Sequence, residues 1–95
     1  MGFESIKSVI QKFESALPDG KEVGIDFEMH EKIRMIYLRR VEIIDSSAIA
    51  FFGINKNSDN LMLVQNISQM SFLLSAENRL YPALKLEPIG FCKHT

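Results

Sequence analysis

The residue types that bind metals are few in this chain and poorly spaced for the purpose. His30, His94 and the single cysteine, Cys92, are the only imidazole and thiolate ligands among its side chains. Cys92 and His94 lie too close together near the C-terminus for a structural zinc site, whose ligands come in separated pairs. The five glycines are isolated, so no phosphate-binding loop is present. The sequence therefore predicts neither a metal nor a cofactor.

Nucleophilic and acid–base chemistry are also weakly indicated. Ser46 or Ser47 would form a triad with Asp45 and His30, but the nucleophile elbow Gly-x-Ser-x-Gly is missing. Adjacent Asp and Ser residues more simply supply the hydrogen bonds of a turn. The acidic residues at 26 and 28 fall on one face of a predicted strand, beside arginines, where a solvated ion-paired surface is the simpler interpretation. We expect no catalytic residues and favour a protein that is not an enzyme.

Composition places the chain among ordinary soluble domains. Its 95 residues are 46% hydrophobic and 24% charged, which is enough for one core and predicts a single domain, residues 1–95. The net charge of −1 indicates no bulk attraction to nucleic acid or anionic lipid. No apolar run approaches the roughly 18 residues that span a bilayer, and no secretion signal opens the sequence. Together with a lone cysteine, these features predict a cytoplasmic protein without a membrane partner.

The first half of the chain predicts a helix followed by two strands. Apolar residues at alternating steps of three and four predict a helix over residues 3–17, which ends at Leu17-Pro18-Asp19-Gly20. Alternation predicts strands over about 22–30 and 33–44, joined by a tight turn at Glu31-Lys32. That turn would place Phe27 opposite Ile36. The alternation degrades near Arg39-Arg40, where we expect a bulge.

The second half is more ambiguous. Strands are predicted over about 48–54 and 61–65, and both are almost continuously apolar, as in strands buried on two faces. The segment 67–80 has a helical pattern, and a second helix is predicted over about residues 67–79. Asn66 would be its N-cap, and Gln69 would complete a capping box. The same segment also alternates as a strand would. An extended tail follows over 83–91. The fold class is thus α+β, with an antiparallel meander of about four strands.

Self-association is the function that these features favour. One helix covers one face of a sheet, so the second apolar face needs a homo-oligomer, most simply a two-fold dimer, or an unidentified protein partner. Gln65, Ser68 and Phe72 are candidate interface residues, because the predicted helix leaves their side chains without a structural role.

RNA binding is the alternative. A helix followed by curved strands is also the order of small Sm-like or SH3-like β-barrels, and Sm-like barrels bind RNA. In that arrangement residues 63–72 form two short strands around a tight turn, with Gln65 and Asn66 near bound bases. Tyr37, Arg39 and Arg40 would then supply stacking and phosphate contacts.

Three linked segments, IAFFGIN, VQNISQMSFLL and PIGF, give the chain a family resemblance over about residues 22–91. It resembles small bacterial proteins of unknown function that share a Leu-Ile-Gln-His-Val-Ser-Gln-Leu-Asn-Phe-Leu-Leu-like segment and a terminal Ile-Gly-Phe. The resemblance implies membership of that family and brings no activity with it. Two positions depart from the pattern: Asn66 replaces the histidine, and Asp45-Ser46-Ser47 replaces an Asn-Pro turn. The matching positions are Gln65, Ile67, Ser68, Gln69, Met70, Phe72, Leu73, Leu74, Ile89, Gly90 and Phe91.

Overall fold

The computed structural model describes residues 2–27 and 35–93, which form one helix and a six-stranded sheet. The mixed α+β class, the N-terminal helix and a largely antiparallel sheet are confirmed. About four strands was an underestimate. The helix and strands are α1 (Phe3–Ser15), β1 (Lys21–Phe27), β2 (Ile36–Ile43), β3 (Ala48–Ile54), β4 (Asn60–Asn66), β5 (Phe72–Asn78) and β6 (Gly90–Lys93), with a 3₁₀ turn at Ile67–Gln69.

The sheet follows the order β4-β3-β2-β1-β5, and β6 lies beside β2. All pairs are antiparallel except β2 with β6. β5 returns to pair with β1 along seven residues, from Lys21 opposite Asn78 to Phe27 opposite Phe72. Among the described residues β4 pairs only with β3 and β5 only with β1, so the sheet does not close and the barrel alternative is wrong in that respect.

The predicted second helix is wrong. Asn66 does cap a helical turn, because its side-chain oxygen accepts the Ser68 backbone N–H at 2.9 Å, but that turn is a 3₁₀ helix of three residues. The chain then becomes β5, whose pairing with β1 supplies the hydrogen bonds that a continued helix would have made internally. Phe72, Leu74 and Ala76 share the core-facing side of β5 with their β1 partners.

β2 changes partner halfway along its length. Its first residues pair with β1, and Arg40–Ile43 pair with β6. The register with β3 shifts between Leu38 and Arg40, which confirms the predicted bulge. Gly53 lies against this kink, where a Cβ atom would overlap the Tyr37 carbonyl oxygen. The bulge sets Arg39 apart from the regular alternation of β2.

The register of β1 with β2 differs from the predicted one by two residues. Ile25 lies opposite Ile36, whereas the proposed tight turn would have placed Phe27 there. Because strand side chains alternate with a period of two, the shift leaves the described side chains of β1 on their predicted faces. The Glu31-Lys32 turn itself lies outside the described residues.

The core lies between α1 and one face of the sheet. Phe3, Ile6 and Ile10 of the helix are buried against it, and Ile89 closes the cluster beside the helix. Three rings form its centre: Phe27 and Phe51 meet edge to face at a centroid distance of 4.9 Å, and Phe72 lies about equally far from both, at 6.0 and 6.1 Å. Phe72 is half-buried and packs against this core cluster, and its place in an interface stays a prediction.

Candidate functional site

A buried carboxylate lies at the bulge of β2. Glu22 of β1 is 3% exposed, although it belongs to the polar side of its strand. Its Oε1 accepts from Arg39 Nη1 at 2.5 Å, and its Oε2 accepts the Leu80 backbone N–H at 2.9 Å. The bulge brings Arg39 within reach of Glu22. Arginines were expected beside the acidic face of β1, and Arg39 lies there, although its partner is Glu22 and not Asp26. Position 28 and Arg34 lie outside the described residues.

A C-terminal strap, residues 79–89, covers this carboxylate. Leu80 at one end is held by Glu22, and at the other end the Ile89 backbone N–H donates to Glu14 Oε2 of α1 at 3.0 Å. Within the strap, Arg79 Nη2 donates to the carbonyl oxygen of Leu84 and, at 3.4 Å, to that of Tyr81. The strap is therefore fixed at both ends and braced internally, without regular secondary structure between β5 and β6.

Tyr37 lies beside this ion pair, on the outer face of the sheet. Burial, reinforced by the nearby charges of Glu77 and Glu22, raises the pKa of Tyr37, against a smaller lowering by Arg39. The hydroxyl is therefore protonated at neutral pH. Tyr37 is 5% exposed, which leaves its ring no open surface on which a base could stack.

Arg40 makes different contacts from Arg39. Its guanidinium carbon lies 4.0 Å above the centre of the Phe52 ring, and its Nη2 is 3.6 Å from Glu42 Oε2. Arg39 and Arg40 therefore point to separate partners, and each already faces a carboxylate. The structure does not assemble them with Tyr37 into a single basic stacking surface.

Two polar turns meet at one end of the sheet. In the first, Asp45 Oδ1 accepts from the backbone N–H and the hydroxyl of Ser47, and these bonds lower the pKa of Asp45. In the second, Asn66 Oδ1 accepts the same two groups of Ser68. The Ile67 backbone N–H donates to the Ser47 carbonyl oxygen at 2.8 Å, which joins the turns. Asp45 and Ser47 thus hold the backbone of the turn, and His30, the third member of the disfavoured triad, lies outside the described residues.

The remaining candidate interface residues, Ser68 and Gln65, do not belong to the ion pair at the bulge. Ser68 is part of the second turn, and Gln65 lies opposite Ile49 on the core-facing side of β4. Neither shares a strand with Arg39, which lies on β2, two strands away from β4 in the sheet order. Sequence reasoning missed Glu22, Arg79 and Glu14, because their partners lie in the strap, 58 to 75 residues away for the two carboxylates. No alternation or spacing in the sequence carries that signal.

Removing the Asn66 side chain is expected to destabilise the 3₁₀ turn. Asn66→Ala should lower the free energy of unfolding by about 1 kcal/mol, because the Ser68 amide loses its acceptor. Asn66→Asp keeps that oxygen and should retain most of the stability. Urea unfolding monitored by circular dichroism measures both variants, and equal losses in the two would contradict a capping role.

The edges of the sheet are its most open apolar surfaces. Met62 and Val64 of β4 are 60% and 50% exposed, and Leu73 of β5 is 63% exposed. All three point to the face opposite the core, since their cross-strand partners are outer-face residues of β3 and β1. The described residues contain no cluster of three or more potential metal ligands. They also contain no helix long and apolar enough to cross a membrane.

Comparisons with known proteins return no match. No family model matches the chain, and neither the curated proteins nor the solved structures contain a significantly similar one. The family resemblance therefore stays a prediction. The structural features that bear on function are the edge strands, the ion pair and the strap.

Proposed function

We propose that this protein is a self-assembling module whose copies join through the edges of their sheets. The observation that carries the proposal is that β4 and β5, each seven residues long, are the two edge strands of the sheet formed by the described residues. An edge strand presents a row of unpaired N–H and C=O groups, which is a template for another strand. Both edges also carry a large exposed apolar side chain.

The two edges carry few of the features that normally prevent such pairing. Monomeric proteins protect edge strands with charges, prolines, bulges or short length. β4 has the sequence Asn-Leu-Met-Leu-Val-Gln-Asn, which contains no charge and no proline, and β5 contains one charge, Glu77. Neither strand contains a bulge in its pairing with its neighbour. These strands therefore suit an interface better than a solvated edge.

Head-to-tail contact between β4 of one copy and β5 of the next is the arrangement that leaves fewest open edges. It covers both strands in every subunit that has two neighbours, whereas a two-fold contact between two β4 strands leaves each β5 exposed. Head-to-tail contacts generate rings when the rotation closes and filaments when it does not. The two-fold dimer predicted from the sequence is the simpler competing assembly.

Charged substitutions on the edges are expected to dissociate the assembly. Val64→Lys on β4 and Leu73→Lys on β5 each place a charge at a position that the contact would bury, and each should reduce the mass measured by light scattering during size exclusion. Val9→Lys is the matched control, because Val9 is 45% exposed and lies on α1 rather than on an edge strand. A wild-type chain that stays monomeric at high concentration would contradict self-association and favour another protein's strand as the partner.

Mixing the two variants distinguishes the assemblies. In a head-to-tail contact, Val64→Lys keeps a functional β5 edge and Leu73→Lys keeps a functional β4 edge, so the mixture should form one-to-one heterodimers. In a two-fold contact through β4, Leu73→Lys assembles like wild type. Mixing then leaves the Val64→Lys chain monomeric. Formation of the heterodimer therefore supports the head-to-tail arrangement specifically.

RNA binding at the joined turns is the second candidate. It is favoured by the strand order, by the 3₁₀ turn between β4 and β5, and by the bond between Ile67 and Ser47 that brings the two polar turns together. Against it, Arg39 and Arg40 each face a carboxylate, and Asp45 adds a negative charge at the turns. A fluorescently labelled short RNA titrated at low salt tests it, since phosphate contacts are strongest there.

A further inference from the structure

A cleft of about 370 Å³ opens between the β2 bulge and the strap. A smaller cleft of about 220 Å³ adjoins it beneath the end of α1, and the two share Glu22, Arg39, Arg79, Leu86 and Glu87 in their walls. The larger one falls within the size range of small-molecule sites, which begins at about 300 Å³. None of the exposed edge residues, Met62, Val64 and Leu73, lines either cleft.

The larger cleft carries an excess of positive charge. Its walls hold three cations, Arg39, Arg79 and Lys85, and two carboxylates, Glu22 and Glu87. Glu22 and Arg39 form an ion pair, so their charges compensate each other. Arg79, Lys85 and Glu87 remain, which leaves the cleft one positive charge in excess although the chain as a whole carries −1.

Arg79 is the cation best placed to receive an anion. Its Nη2 is held by the carbonyl oxygens of Tyr81 and Leu84, and no carboxylate lies within ion-pair distance of it among the described residues. The carbonyls fix the guanidinium without neutralising it. A fixed guanidinium with donors to spare binds a planar carboxylate through two parallel hydrogen bonds.

The rest of the wall is apolar. Ile54 at the end of β3 faces the strap residues Leu84, Leu86 and Pro88 across the larger cleft, and Tyr81 adds an aromatic ring. Such a surface suits the hydrocarbon part of a ligand, while a few convergent polar groups fix its orientation. The lining thus combines one uncompensated charge with a hydrophobic surface.

We propose that this cleft binds a small monocarboxylic acid with a compact apolar body. The carboxylate lies on the guanidinium of Arg79, and the body packs against Ile54 and Leu84. Glu22 positions the site indirectly, because it holds both Arg39 of the bulge and Leu80 at the start of the strap.

Benzoate is the probe for this site, and benzamide is its neutral counterpart of almost the same shape. In ¹⁵N correlation spectra of the wild-type chain, benzoate should shift the amide signals of Leu80, Leu84 and Leu86 along a saturating curve. Benzamide should bind at least about tenfold more weakly than benzoate, because it lacks the charge that Arg79 pairs with. Absence of saturation, or equal binding of the two compounds, would overturn the proposal without any variant being made.

A substitution then locates the charge. Arg79→Gln should weaken benzoate binding by about tenfold, whereas Lys56→Gln removes the same charge from the β3–β4 loop, outside the cleft, and should leave binding unchanged. If the two variants weaken binding equally, benzoate affinity depends only on the net charge of the protein, and the proposed site is wrong. Because the edge strands do not line the cleft, failure of this test leaves the assembly proposal standing, and the reverse also holds.

Discussion

Replacing Phe51 by alanine is expected to lower the free energy of unfolding by about 3 to 5 kcal/mol. Phe51 is fully buried at the centre of β3, and its ring contacts Phe27 and Phe72. Truncation removes apolar area and leaves a cavity that surrounding strands cannot fill. For a domain of this size the loss is a large fraction of the total stability, roughly 5 to 14 kcal/mol. Urea unfolding with a fitted midpoint and slope measures it.

The neighbouring residue provides the matched control for that substitution. Phe52 is half-buried on the opposite face of the same strand, where its ring lies beneath Arg40. Phe52→Ala should cost about 1 kcal/mol, since it removes a partly exposed cation–π contact and creates no cavity. A double-mutant cycle of Phe51→Leu with Phe72→Leu should show coupling of about 0.5 to 1.5 kcal/mol. Equal effects at positions 51 and 52 would mean that the three-ring centre does not carry the core.

Features that depend on neighbours in sequence were predictable from the chain. The apolar stripe of α1, the range of β3 and the bulge near Arg39 are all local patterns, and the structure contains each of them. Asn66 as a cap is also local, because the bond to Ser68 spans two residues. In these cases the residues that determine the structure lie close together in the sequence.

β5 was not predictable from local pattern alone. Its apolar residues are compatible with both helical and strand periods over so short a stretch, and the genuine cap at Asn66 favoured the helix. What decides for a strand is pairing with β1, about fifty residues earlier in the chain. Phe72 then points inward to Phe27 and Phe51, which explains the residue that the predicted helix left without a role.

The strap was missed for a related reason. Glu22 alternates with buried residues, a pattern that predicts a solvated position, but residues 79–89 return across it and leave it 3% exposed. Glu14 reads as one of several polar residues on α1, yet its carboxylate receives the Ile89 amide. Burial of a polar side chain by a distant irregular segment leaves no trace in hydrophobic periodicity. The cleft is formed in part by the strap, so it could not be predicted from the sequence either.

The ion pair beneath the strap provides the second large effect, and its size should depend on which partner is removed. The Glu22 side chain is 2% exposed and that of Arg39 is 32% exposed. Arg39→Gln leaves a buried carboxylate with the Leu80 amide as its remaining donor, and should lower the free energy of unfolding by about 3 kcal/mol. Glu22→Gln keeps an acceptor for Leu80 and leaves a guanidinium that reaches water, so about 1 kcal/mol is expected.

The double variant, Glu22→Gln with Arg39→Gln, separates charge from packing. It removes both charges, so no unpaired carboxylate is left in the interior, and it should be more stable than Arg39→Gln alone by about 1 to 2 kcal/mol. Urea unfolding of all four proteins closes the cycle, and hydrogen exchange at the Leu80 amide reports whether the strap stays attached. Equal losses in the two single variants would mean that Glu22 is hydrated in the folded chain. The asymmetry instead follows if the fold keeps water from the Glu22 carboxylate and leaves the Arg39 guanidinium partly exposed.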